Sequence, residues 1–351
     1  VGGGLIGSMQ AIYMAQKGFE VDVYERRGDI RNALFVAGKS INLALSDRGW
    51  EALRKIDMEN EIRMISIPMR GRKIHNLVGS LNFQPYGFHD QSIWSVSRGG
   101  LNQKLLIKAD SYKNCTLHFD HKCMDLDLES NTLHFEHNGK EIVKSFDRIL
   151  GTDGAFSSVR KRLERTSRFN YSQYYLEHGY KELLIPAAPE SLHQIEPNAL
   201  HIWPRGGFML IALANLDGSF TVTLFMPFEG ENSFEQLNND KEIESFFKRE
   251  FADACDLMPD LLEDFKKNPT SSLVTVRTYP WNYQDKVLLM GDAAHAIVPF
   301  YGQGMNCGFE DCSVLDNIMN EHPGDWETIA KEYTAERKRN GDAIADLALR
   351  N

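Results

Sequence analysis

The chain has 351 residues, 42% hydrophobic and 25% charged, enough for one large or two ordinary domains with a substantial core. A formal net charge of -10 argues against a nucleic-acid partner, whose binding needs clustered positive charge. Five scattered cysteines with no C-x-x-C point to a reducing compartment and to neither a disulfide framework nor a zinc site, and the longest apolar run, Phe208–Ala214, is too short to cross a bilayer.

In chain order, Val1 leads directly into Gly2-Gly3-Gly4, so the strand expected before this turn is missing; the far end stops inside a helical pattern, and both termini read as trimmed. Gly2-x-Gly4-x-x-Gly7 opens a helix, closed by Gly18 at a C′ position. A strand follows (Val21, Val23, Tyr24) and ends at Glu25, about 20 residues past the glycines, as in the dinucleotide fingerprint. There the glycines allow a tight turn and close approach to pyrophosphate, and the acid accepts from a ribose hydroxyl; a structural glycine turn also fits the motif. Ser40–Ala44 and the helix DRGWEALRKI come next. Arg70-Gly71-Arg72 and Tyr86 follow; arginine grips carboxylates through two parallel hydrogen bonds, although a solvated surface charge also fits. Arg98 stands at another helix start. Leu117–Phe119, Met124–Leu128, Leu133–Phe135 and Ile142–Phe146 read as strands, and the Asn138-Gly139 turn sets the last two as a hairpin inside a doubly wound sheet.

Arg148–Leu150 resumes the parallel pattern and runs into Asp153-Gly154, a carboxylate at a strand end that suits either a dinucleotide or a helix cap. From Tyr175 to Phe228 alternating strands predict a mostly antiparallel sheet that walls a substrate pocket; Asp240–Phe251 and Pro259–Lys267 read as surface helices. Lys286–Asp311 then combines a short apolar strand, Asp292 at its carboxyl end, a loop with Pro299, Phe300, Gly302 and Gly304, and a helix start. Free amides and the dipole of that helix favour an electron-rich ligand such as the pyrimidine edge of a reduced flavin. An ordinary strand–loop–helix fits as well. His295 reads as a structural histidine and not as a catalyst. Asp325–Asn351 is helical.

Three motifs in order, GGGLIG with Glu25, DGAFSSVR and GDAAHAIVPFYGQGMN, resemble the single-component flavin aromatic hydroxylases. SINLALS, MRGRKIH, LHIWPR and FYGQGMNCGFEDC resemble the branch of that family that hydroxylates L-kynurenine, and the likeness spans nearly the whole chain. The resemblance implies an α/β fold: a Rossmann-like, doubly wound FAD-binding domain (1–70, 98–174 and 273–325) interleaved with a mostly antiparallel substrate domain (71–97 and 175–272), then C-terminal helices from 326. It implies that Gly2, Gly4, Ile6 and Gly7 hold the FAD pyrophosphate and Glu25 the adenosine ribose. Tyr24, Arg26 and Arg27 would flank the adenosine, and Ala44, Arg98 and Asp153 would face FAD. Asp292 would take the ribityl chain, and Gly304, Met305 and Asn306 the pyrimidine edge.

For substrate, the resemblance implies Arg72 and Tyr86 on the amino-acid carboxylate of L-kynurenine, Phe300 on its ring, and Asn351 facing it. NADPH would dock transiently and reduce FAD; O2 would add at flavin C4a, and the cofactor, with no catalytic side chain, would carry oxygen to the ring. Another aromatic acid such as salicylate would keep the same flavin motifs, and a non-catalytic nucleotide-binding protein is an alternative from a different class. The expected place is the cytoplasm, or the cytosolic face of the mitochondrial outer membrane in a eukaryote. Any membrane attachment would lie in a missing C-terminal part.

Overall fold

A computed structural model describes residues 1–32, 42–88 and 91–350. The chain runs α1 (Leu5–Gln16), β1 (Val21–Tyr24), β2 (Asn42–Leu45), α2 (Asp47–Lys55), α3 (Glu59–Arg63), β3 (Ser66–Met69), β4 (Gly71–His75), β5 (Leu81–Pro85), β6 (Ile93–Ser97) and α4 (Arg98–Asp110). Short strands follow, β7 (Cys115–His118), β8 (Lys122–Asp127), β9 (Thr132–His137), β10 (Lys140–Ser145) and β11 (Ile149–Gly151), then α5 (Ser158–Leu163). Next come β12 (Asn170–Ile185), β13 (Leu200–Pro204), β14 (Met209–Ala214), β15 (Phe220–Pro227), α6 (Asp240–Glu250), α7 (Ala252–Cys255) and α8 (Leu261–Lys267). The last elements are β16 (Ser271–Tyr279), β17 (Asn282–Tyr283), β18 (Val287–Leu289), α9 (Asp292–His295), α10 (Gly304–Glu321) and α11 (Trp326–Leu349).

Parallel pairs β1–β7 and β11–β18 form the nucleotide-binding layer, and the first residues join them: the Gly2 N–H donates to Tyr24 O and the Thr152 N–H to Val1 O. Helices α1, α10 and α11 pack on this layer around Met9, Ile12, Leu289, Phe309, Leu315 and Tyr333. The Asn138-Gly139 hairpin departs from expectation. With β8 it makes a separate antiparallel sheet, ordered β10–β9–β8, and lies face-on against the layer, Phe135 stacking on Tyr24 at 4.1 Å. An apolar face buried this way cannot also sit edgewise in the parallel sheet. β6 pairs with β2 and β3, and so delivers Arg98 to the start of α4 directly after it.

The second layer is a seven-stranded sheet, ordered β16–β12–β15–β14–β13–β4–β5. Alternation along its strands gives it two faces. On one, Trp203, Leu210, Val222 and Leu224 pack under Phe246, Phe247, Phe251 and Phe265 from the helical segment α6–α8. Burial of each such aromatic contributes about 1.5–3 kcal/mol. The opposite face carries Met209, Ile211 and Phe225, which meet Val298 and Phe300 of the loop before α10. One face is thus a core, and the other fronts the Asp292 stretch. Among the described residues no helix is long and apolar enough to cross a membrane.

Candidate functional site

The glycine turn is dictated by contact distances. Gly2 has φ +97, and a Cβ there would lie 2.6 Å from Thr152 O; a Cβ on Gly7 would lie 1.8 Å from Gly2 O. Gly4, by contrast, faces open space, with nothing within 4 Å of a built Cβ. Two glycines therefore allow the backbone to cross tightly, and the third leaves room for a ligand at the α1 N-terminus.

Glu25 is buried, its Oε2 accepting from the Gly3 N–H at 2.8 Å and its Oε1 from the Arg27 backbone N–H and Nε at 2.9 and 2.8 Å. Burial would raise its pKa, but Arg27 and the Gly3 amide outweigh burial and hold it below the ordinary carboxylate range. The two Arg27 donors fill Oε1, and Oε2 keeps a lone pair for a ribose hydroxyl. Arg26 is exposed beside it. Tyr24 is placed differently from expectation: its ring is buried between His118 and Phe135, and only its backbone borders the turn. A ring held in that stack cannot also lie on an adenosine. Asp153 serves as a helix cap, since Oδ2 accepts from the Ser158 and Val159 amides at the start of α5, while Oδ1 is buried with no partner among the described residues.

At the other end of the cleft, Asp292 is solvent-accessible yet encased by protein, and burial pushes its pKa up against the opposing influence of Arg98 and His295. We read a carboxylate that is accessible and yet enclosed in this way as facing a cleft. Arg98 is exposed at the first position of α4 and also acts electrostatically on Glu182, which burial pushes upward. Asn306 spends its side chain on structure: Nδ2 donates to Ala44 O and Gly302 O, and Oδ1 accepts from the Ser46 amide. That ties β2, with Ala44, to the first turn of α10 and leaves the Gly304, Met305 and Asn306 amides for a ligand. The Ile6 side chain packs against Gly291 and Gly308, where a Cβ would approach it to 2.8 and 2.4 Å, so Ile6 can serve a ligand only through its backbone.

Helix capping tests whether FAD fits. Of the five helices longer than ten residues among the described residues, α4, α6 and α11 are capped by the side chains of Ser97, Asn239 and Asp325. The two others, α1 and α10, have no side-chain cap, and these two start at the cleft. Uncapped amides at both ends, the orphaned Asp153 Oδ1, the open space at Gly4 and the accessible Asp292 match a pyrophosphate, a polyhydroxyl chain and an anionic ring edge. These residues fit FAD.

The substrate side is sparser. Arg72 on β4 is exposed, with its guanidinium 5.4 Å from the centre of the Tyr86 ring. The Tyr86 hydroxyl is buried with no hydrogen-bond partner of good geometry among the described residues, and burial pushes its pKa up against the opposing influence of Arg72. Ile74, two residues on from Arg72, pairs with Ile202, Ile202 with Ile211, Ile211 with Thr223, and Thr223 with Glu182. Cross-strand partners share a face, so Arg72 shares the cleft-facing side with Ile202, Ile211 and Phe225. Phe300 meets Phe225 edge-on at 5.4 Å. Asn351 lies outside the described residues. Sequence reading missed Ile202, Ile211, Phe225 and Glu182; strand alternation was visible, but not which face the α6–α8 helices cover.

A family described as FAD binding domain matches residues 1–348. The chain is 52% identical over 353 residues to kynurenine 3-monooxygenase of Flavobacterium johnsoniae, covering 100% of this chain and 78% of that protein. Against the proteins of the same name from Dictyostelium discoideum and Sus scrofa, the identities are 48% and 44%, with 100% of this chain and 78% and 74% of theirs covered. Among solved structures, 2-methyl-3-hydroxypyridine-5-carboxylic acid oxygenase superposes with a TM-score of 0.80 at 19% identity over 99% of this chain and 88% of that one. PqsL of P. aeruginosa, in complex with 2-aminobenzoylacetate, gives 0.79 at 18% identity over 99% and 93%. At such identities these two speak for the fold alone.

Proposed function

Because the chain belongs to the kynurenine 3-monooxygenase family of FAD-dependent aromatic monooxygenases, we propose that it hydroxylates L-kynurenine to 3-hydroxykynurenine, using NADPH and O2. Bound FAD supplies the redox and oxygen-transfer chemistry. The chain's own part is to bind, orient and exclude water. Arg72 offers a forked donor to the substrate carboxylate, and the Tyr86 hydroxyl adds a second donor beside it. Ile202, Ile211, Phe225 and Phe300 provide an apolar wall for the aromatic ring and keep water from the reacting carbon. The amides of the first turn of α10 would favour negative charge on a flavin's pyrimidine edge held there. The amino group of the substrate ring already donates electrons to its ortho carbon, so no side-chain base is needed there. His295 is ion-paired to Asp311 at 2.6 Å and is held away from that chemistry.

The observation that carries the substrate assignment is the arginine beside a buried tyrosine hydroxyl on the cleft-facing side of the sheet. Titrating the yellow holoenzyme with L-kynurenine and with salicylate, scoring hydroxylated product against NADPH oxidised, tests it. Coupled product from L-kynurenine alone is expected. Equal turnover of salicylate overturns the assignment.

A further inference from the structure

Behind the Asp292 stretch lies a buried charged cluster made of side chains other than those assigned above to cofactor and substrate. Asp311, on α10, and Arg337, on α11, are both fully buried, with Arg337 Nε donating to Asp311 Oδ1 at 2.7 Å. Asp311 Oδ2 accepts from the Gly291 N–H at 3.0 Å and from His295 Nε2 at 2.6 Å. Gly291 and His295 bracket Asp292, so one carboxylate pins the chain on both sides of that residue. The Arg337 fork continues to Glu310 Oε2 at 2.8 Å and to Cys307 O at 3.1 Å, the latter on the turn that presents the Met305 and Asn306 amides.

We propose that Asp311 and Arg337 are positioning residues for the cofactor, fixing the distance between Asp292 and the amide cluster at the start of α10. The inference rests on the FAD reading above. Two features of the surroundings support it. Gly291 has φ +56, a conformation that side-chain-bearing residues rarely adopt, and Ile6 fills the space beside both Gly291 and Gly308, so the strand end, α1 and α10 meet without slack. Charge is also a costly way to hold helices together: a buried ion pair is often no more stabilising than apolar residues of the same volume. Its fixed bond directions, however, set a spacing that apolar packing leaves adjustable. His295, Cys307 and Asp311 have the mutual spacing of cation ligands, but the Arg337 guanidinium already supplies the positive charge there.

The test uses apo-protein prepared from the flavoenzyme, titrated with FAD while flavin fluorescence quenching is followed. Asp311→Asn and Arg337→Met are expected to weaken FAD binding at least tenfold and to raise the fraction of NADPH oxidised without hydroxylated product. Arg337→Lys keeps the charge and loses the fork; it is expected to fold with a near-normal melting temperature and show the same two changes to a smaller degree. If the first two variants fail to fold, Arg337→Lys decides. Folded variants with FAD affinity within twofold of the parent and unchanged coupling overturn the proposal. Failure of the parent apo-protein to bind FAD overturns the cofactor reading instead, which separates the two.

Discussion

The two halves of the site are built on opposite plans. The proposed FAD cradle is made of backbone: uncapped amides at α1 and α10, a glycine turn that tolerates no added Cβ at Gly2 or Gly7, and a buried ion pair behind it. The substrate wall is made of side chains on a sheet edge, where β5 is exposed along its whole length and Arg72 and Tyr86 lack strong partners. A cofactor that stays bound can be met by preformed geometry. A substrate that comes and goes is met by groups held open for it, at the cost of leaving a buried hydroxyl without a strong partner. The cradle should therefore fail abruptly on small changes, and the wall by degrees.

The largest effect is expected from Gly7→Ala. Its methyl group would collide with Gly2 O and with Thr152 Oγ1 at 1.8 and 2.5 Å, so the turn must open and the purified protein should be colourless. A yellow Gly7→Ala protein would show the cradle to be adaptable and break the contrast. Arg72→Ala should keep FAD and lose about a hundredfold in L-kynurenine affinity, a few kcal/mol, because the substrate carboxylate is left without its cation. Unchanged substrate affinity, read from the spectral perturbation of the flavin, would remove Arg72 from the site.

A third measurement concerns the core behind the wall. Burial holds His201 down at about 4 against 6.5 unperturbed, and its buried partner His75 carries the hydrogen-bond chain out to the exposed Asp253. The unfolded chain takes up this proton first, so the contribution is present above pH 6.5 and is lost as pH falls toward 4. The shift corresponds to at most about 3 kcal/mol. Urea midpoints at pH 7 and pH 4.5 should converge in His201→Gln relative to the parent; an unaltered difference would exclude His201 as the source. The smallest effect is Tyr86→Phe, where one donor is lost, with about a tenfold rise in the dissociation constant for substrate and no change in FAD affinity.

Much of the proposed cradle was legible in the amino-acid order because its parts are local. Gly2, Gly4 and Gly7 fall within one turn, Glu25 follows one strand later, and Asp292 stands where a short apolar strand stops. Tyr24 shows the limit of that legibility: its neighbours in the chain suggest the adenosine, yet its ring is claimed by Phe135, more than a hundred residues away in sequence. The hairpin was legible as a hairpin but not as a separate sheet.

What the amino-acid order determined by itself is the glycine turn, the strand-end carboxylates and the alternation of the strands, since each follows from backbone sterics and short-range periodicity. Only the tertiary structure decided which face of the seven-stranded sheet looks into the cleft and that Arg337 closes on Asp311. Both depend on how distant segments pack, and burying one face under α6–α8 leaves the other, with Arg72 on it, uncovered by those helices.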